Sequence, residues 1–175
     1  MPMTISAEDV FFGPPDSLQY NSIELGASED PAKLVITVTR YEPEFQGAVG
    51  PLKGLTRITK IKAELTTKLN ELALSKLQAA LQNTSTASVA GTPGMTKLTQ
   101  SIGVVLTADH HDVVMQATGP DGQPCTVTIT DALQTGNITC EFSVSSTAGT
   151  AVTFTGYGDP TNPTLAPYSI ERLTV

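Results

Sequence analysis

Between Thr56 and Leu69 the chain reads TRITKIKAELTTKL, and from Lys60 to Leu69 its apolar and polar positions alternate strictly. Ile61, Ala63, Leu65, Thr67 and Leu69 fall on one parity, and Lys60, Lys62, Glu64, Thr66 and Lys68 on the other. Period two marks a strand with one buried and one wet face. Strands average about five or six residues, yet this run covers about fourteen and would reach about 45 Å at about 3.3 Å per residue. Upstream, Lys33–Tyr41 (KLVITVTRY) is dense in Val, Ile and Thr and also reads as a strand. The connection 42–54 holds two prolines and three glycines. The two runs are therefore expected to be the arms of a long hairpin with an oversized loop.

After Leu69 the pattern changes. Leu65, Leu69, Leu72, Ala73, Leu77, Ala80 and Leu81 lie at helical spacing, and beyond Glu71 the residues are good helix formers. The expected switch is near Asn70, a candidate N-cap, with a helix running to about Gln82 and Asn83 suited to its end. Asn83–Gln100 is polar and turn-rich and reads as an exposed loop.

The flanking segments are β-like. Asp9–Phe12 is a short apolar start that Gly13-Pro14-Pro15-Asp16 ends, and Ser22–Leu25 is a brief strand closed by Gly26. Ile102–Thr107 and Asp112–Thr118 flank Ala108-Asp109-His110-His111, and Gly119-Pro120-Asp121-Gly122 is a turn. Gln123–Thr130 and Asn137–Val144 read as a hairpin around 131–136, which would set Cys125 near Cys140. Ala151–Gly156 and Tyr168–Thr174 supply the last strands, joined by the turn-rich 158–163. The expected fold class is mainly β: an antiparallel β-sandwich with one flanking α-helix and a long β-hairpin, in a single domain spanning 1–175.

Charge and composition narrow the function. A net charge of −7 argues against a general DNA binder, whose footprint would be basic. No apolar run approaches the roughly 18 residues of a membrane span. The N-terminus lacks a basic start and an apolar signal core, so secretion by the usual route is not expected and the two cysteines are expected as free thiols.

Catalytic and metal motifs are weak. His110 and His111 beside Asp109 and Asp112 resemble a metal cluster in composition, but strand neighbours point to opposite faces and the chain holds no third histidine. Gly91-Thr92-Pro93-Gly94-Met95-Thr96-Lys97 lacks the Gly-Lys-Ser/Thr ending of a phosphate loop. There is no nucleophile-elbow sequence. No enzymatic activity, cofactor or metal is expected.

The order of features resembles the tail tube (major tail) proteins of long-tailed bacteriophages. Ile23-Glu24-Leu25-Gly26-Ala27-Ser28 is similar to that family's early "LGAT" turn, and 33–69 to its long hairpin. Leu69–Leu81 resembles its strand-to-helix passage, and Val152–Pro160 its last strands and turn. The resemblance implies homohexameric rings stacked into a tube, whose inner sheets join around a channel for DNA. It implies other tail proteins as partners (tape measure, terminator and distal tail), DNA passing without specific binding, no membrane, and a place in the virion tail after assembly in the host cytoplasm. Six copies at −7 carry about −42 per ring, which repels phosphate.

Two groups of site residues follow. Lys60, Lys62, Glu64, Thr66 and Lys68 form the wet face of the long strand and the candidate channel lining. Their lysines would make a bore sticky unless neighbouring acids offset them or the face points elsewhere. Glu42, Glu44, Phe45, Val49, Leu52 and Lys53 form the candidate inter-ring contact, because a long loop carrying exposed apolar groups reads as a contact surface. Two alternatives remain beside the tube subunit. One is another tail or secretion-tube component, such as a terminator or baseplate tube protein. The other is a β-sandwich ligand-binding or adhesion module, which the low aromatic content of 5 % and the absence of Trp disfavour.

Overall fold

A computed structural model describes residues 5–6, 10–11, 15–26, 31–43, 54–69, 73–102, 109–118, 122–140 and 150–172. Its strands are β1 (Ile5–Ser6), β2 (Val10–Phe11), β3 (Pro15–Tyr20), β4 (Ile23–Glu24), β5 (Lys33–Tyr41) and β6 (Arg57–Leu69). A helix α1 (Leu74–Ala80) follows, then β7 (Thr84–Ser88), β8 (Thr96–Gln100), β9 (His111–Thr118) and β10 (Pro124–Gln134). The chain closes with β11 (Thr139–Cys140), β12 (Thr150–Gly156) and β13 (Tyr168–Arg172). The main sheet runs β1-β5-β6-β12-β10-β9-β3-β4, with β2 also on β5, β11 on β12 and β13 on β10. Every pairing is antiparallel. The protein is mainly β and sandwich-like, as its alternating patterns imply.

The long hairpin forms as expected. β5 and β6 pair from Lys33 opposite Thr66 to Tyr41 opposite Arg57, with one bulge between Thr39 and Arg40. Ala63, Leu65, Thr67 and Leu69 are buried, while Lys62, Glu64, Thr66 and Lys68 lie on the other, wetter face. The period-two pattern thus sets the facing directly.

One bulge turns the sheet into two layers. Before its irregularity between Ile129 and Ala132, β10 lies between β9 and β13; after it, Ala132 still pairs His111 of β9 while β12 takes the place of β13 along Ala132–Gln134. Asp131 takes the left-handed conformation there, with φ at 47°. A bulge adds twist and bends the strand, which lets β10 serve both layers. Leu34, Leu65, Leu69, Val152 and Phe154 from one layer join Leu18, Tyr20, Val113, Met115, Val127 and Ile129 from the other in one core. The rings of Tyr20 and Phe154 meet across it at 5.0 Å.

Four expectations need correcting. The helix is shorter than expected: Ala73 flanks it without a side-chain cap, and it stops at Ala80 rather than Gln82. The proposed cap Asn70 lies outside the described residues. Asn83 does adopt a left-handed φ of 49°, but as the turn into β7. Asn83–Gln100 is no loop but a β7–β8 hairpin, in register from Thr84 opposite Gln100 to Ser88 opposite Thr96. Pro15 starts a strand instead of ending one, a position where its missing N–H costs nothing. Finally, β10 does not form a hairpin with the following segment: β11 pairs β12, with Cys140 opposite Thr150, while Cys125 lies opposite Ala117 and Arg172. Of the expected strands 102–107 and 137–144, residues 103–107 and 141–144 lie outside the described residues.

Two features of this packing predict stability changes. A methyl group on Gly156 would meet Ile129 Cγ2 at 2.5 Å and the Pro167 carbonyl at 2.9 Å. Overpacking against backbone should make Gly156→Ala lose about 1–3 kcal/mol, read as a lowered urea midpoint. The second is the buried Tyr20, whose hydroxyl donates towards the Asp109 and Ala132 carbonyls at 2.7 and 3.2 Å. Burial, with the Asp109 carboxylate adding and Gln82 offsetting, pushes its pKa from 10.0 up to about 12. The folded state holds the phenol proton more tightly than the unfolded chain, so this contribution is complete below pH 10 and fades as pH rises through about 12. Tyr20→Phe should flatten that part of the stability-against-pH curve, whose drop is on the order of 2 kcal/mol.

Candidate assembly surface

The wet face of the hairpin is a built surface of hydroxyls and cations. Register places Lys33, Val35, Thr37 and Thr39 of β5 beside Thr66, Glu64, Lys62 and Lys60 of β6. On the other side of β6, Lys68, Thr66 and Glu64 stand opposite Ala151, Thr153 and Thr155 of β12. Thr66 and Thr153 share a hydroxyl contact at 3.1 Å, and Thr155 meets Thr135 at 2.6 Å. Thr155 also donates to Glu64 at 3.5 Å. These cross-strand contacts join β6, β12 and the end of β10 on one face.

Its electrostatics answer one question raised by the sequence. Lys62 pairs with Glu64 at 2.8 Å, both partly exposed, so the pair adds little to stability. Neither β5 nor β12 contributes an acid to this face. Among the described strands, four lysines therefore share this face with one glutamate.

The outer half of β6 is open. β12 pairs β6 only from Glu64 to Leu69, so Arg57–Lys62 have β5 on one side and no strand on the other among the described residues. A groove of about 710 Å³ lies along that edge, walled by Tyr157, Pro163, Leu165 and Pro167. Tyr41, Leu55 and Ile58 are exposed at the same end of the hairpin, and Arg57 lies 5.3 Å over the Tyr41 ring. In the contact loop Glu42 is half-buried at the end of β5. Glu44, Phe45, Val49, Leu52 and Lys53 lie outside the described residues.

The remaining candidates sit in structural roles. His110 Nδ1 is 3.0 Å from the Asp131 carbonyl and its ring meets Tyr157 edge-on, while the His111 ring meets Tyr20. Among the described residues no group of three His, Cys, Asp or Glu side chains is placed to hold a metal. Cys125 is a buried free thiol whose pKa burial raises, with Arg172 partly offsetting. A raised pKa keeps it protonated and a poor nucleophile. Among the described residues no helix is long and apolar enough to cross a membrane.

Sequence reasoning expected the long hairpin to have exposed edges but not which part of β6 is open, and it missed the β7–β8 hairpin. The edge follows from where β12 stops, which no local pattern encodes. The hairpin is Thr- and Ser-rich on both faces and carries no apolar alternation. Its signal was the turn chemistry between its arms, where Gly91 and Gly94 take φ of 80° and 84°. A scan against protein-family models finds no match for the chain, and a search of curated proteins finds none either.

The facing of β6 has a direct test. Ala63 is fully buried and Thr66 exposed on the same strand. A carboxylate at Ala63 would be taken out of water without a partner, so Ala63→Glu should abolish folding or cost several kcal/mol. Thr66→Glu should stay within about 0.5 kcal/mol of the parent. Thermal melts of the two variants would check the difference, and equal effects would refute the assignment of faces.

Proposed function

We propose that this chain is a structural subunit of a phage tail tube, forming stacked hexameric rings around a channel that passes DNA. The observation that carries the reading is the β5–β6 hairpin. Its strand β6 keeps one face polar from Lys60 to Lys68, and its outer edge has no partner among the described residues. An isolated globular domain gains nothing from such an edge, which invites pairing with another chain. Repeated around a ring, open edges can be closed by neighbours. The hydroxyls of Thr66 and Thr153 suit a wall that a polyanion slides along, and Glu64 offsets Lys62 beside them. A terminator or baseplate tube subunit would use the same surfaces and differ in its partners.

Negative-stain microscopy of concentrated protein is expected to show hollow rods or rings. Monomer alone in light scattering, at high concentration and with tail partners present, would overturn the reading. The assembled protein is expected to show no measurable binding of duplex DNA at physiological salt, because a conduit must release what passes through it. A micromolar affinity that falls steeply with salt would count against a conduit.

A further inference from the structure

The charge of this chain is divided by position. Residues 33–69 hold seven of the ten lysines and arginines and three of the seventeen acids, a net +4. All other residues together carry three cations and fourteen acids, a net −11. The long hairpin is thus a basic arm on an acidic body.

The arm's open edge combines three features of a contact surface. Among the described residues, no strand pairs Arg57–Lys62 on the side away from β5. The groove along them has Leu165 at 60 % and Tyr157 at 41 % exposure on its wall, with Ile58 at 55 % on the edge itself. Pro163 and Pro167 in that wall have no N–H, so they cannot donate to the edge themselves. Tyr and Arg beside exposed aliphatics are the composition enriched at interface centres.

We propose that this edge and groove receive an acidic segment of a second copy of the chain, and that the arm's cations select it. The inference deepens the tube reading, on which it rests, by naming what holds neighbouring copies together and fixes their orientation. Strand addition would supply main-chain hydrogen bonds, and the groove would take alternate side chains. The charge supplies direction. Two β6 edges pairing with each other would set Arg57, Lys60 and Lys62 against like charges, which disfavours the symmetric dimer. Arm against body is attractive instead. Such a contact uses different surfaces on the two copies, and it propagates into rings or filaments rather than stopping at two.

Sedimentation velocity of the full chain across salt concentration tests this. Raising salt from about 0.05 to about 1 M should weaken association about tenfold or more, since exposed charge pairs are screened. The double variant Arg57→Glu with Lys60→Glu should weaken it similarly at low salt and remove most of the salt dependence. Lys97→Glu, a single cation-to-acid change on β8, should change neither. Leu165→Ser, at an exposed position, should weaken association while leaving the circular dichroism melt intact. Association that ignores both salt and the arm variants would overturn the inference; if rods still form, the tube reading survives it. Salt-sensitive association without rings or rods would uphold this contact and sink the tube. Closed dimers, no association at all, or binding of duplex DNA that the double variant loses would each overturn it.

Discussion

Strand β6 must be buried on one face and wetter on the other from Ala63 to Leu69, and the rest of the fold follows from that double demand. Its inner residues, Ala63, Leu65, Thr67 and Leu69, need a cover, and the layer of β3, β9 and β10 provides it. Its outer residues need none. The inner side is filled tightly enough to bury the Thr67 hydroxyl without a hydrogen-bond partner in the structure. An unsatisfied hydroxyl costs about 1–3 kcal/mol, so shape is being met at some expense in polarity. A β-branched residue suits the pleat there, and the alternation carries it inward regardless of its oxygen.

The two layers are tied by β10, and the tie explains the open edge. Because β10 leaves one layer at Asp131 and enters the other through Ala132–Gln134, it meets β12 only over three residues. β12 in turn meets β6 only to Glu64 and then departs at Gly156, where Ile129 and Pro167 leave no room for a side chain. The chain beyond Gly156 runs out as the segment lining the groove, capped by Thr161 on the Asp159 carboxylate, whose pKa those hydrogen bonds lower. The departure of β12 leaves Arg57–Lys62 without a strand on that side among the described residues. Closing the core and exposing the edge are one event.

Much of this was legible in the sequence wherever one face is apolar. Lys33–Tyr41 and the run to Leu69 announce themselves through parity, and the burial of Leu65 opposite Leu34 follows from it. The β7–β8 hairpin was not legible, because Thr84–Ser88 and Thr96–Gln100 put hydroxyls on both faces and leave no period to read. The helix was overextended because Leu81 and Gln82 continue a helical pattern. Leu81 instead turns to extended geometry, and Gln82 reaches the Gln134 carbonyl at 2.9 Å. The partner of β11 was misassigned for a different reason: Asp131 looked like a turn but bends a continuing strand. Proximity in sequence favoured a hairpin there, and the long-range pairing to β12 won.

Net charge is a poor guide to a surface when its carriers are sorted along the chain. The value of −7 describes no face of this molecule: the arm is at +4 and the remainder at −11. Fields fall off within about 8–10 Å at ordinary ionic strength, so a neighbour or a passing phosphate meets the local sign first. Read that way, acidity of the whole chain does not make its hairpin repel phosphate. In a tube, whether DNA slides or sticks depends on how much of the arm's positive charge neighbouring bodies cover. Assembly and conduction are then linked through the same side chains: a ring that satisfies its lysines with a neighbour's carboxylates also removes them from the path of the DNA. A subunit carrying uniform negative charge would keep its bore clean but would have no such means of telling an arm from a body.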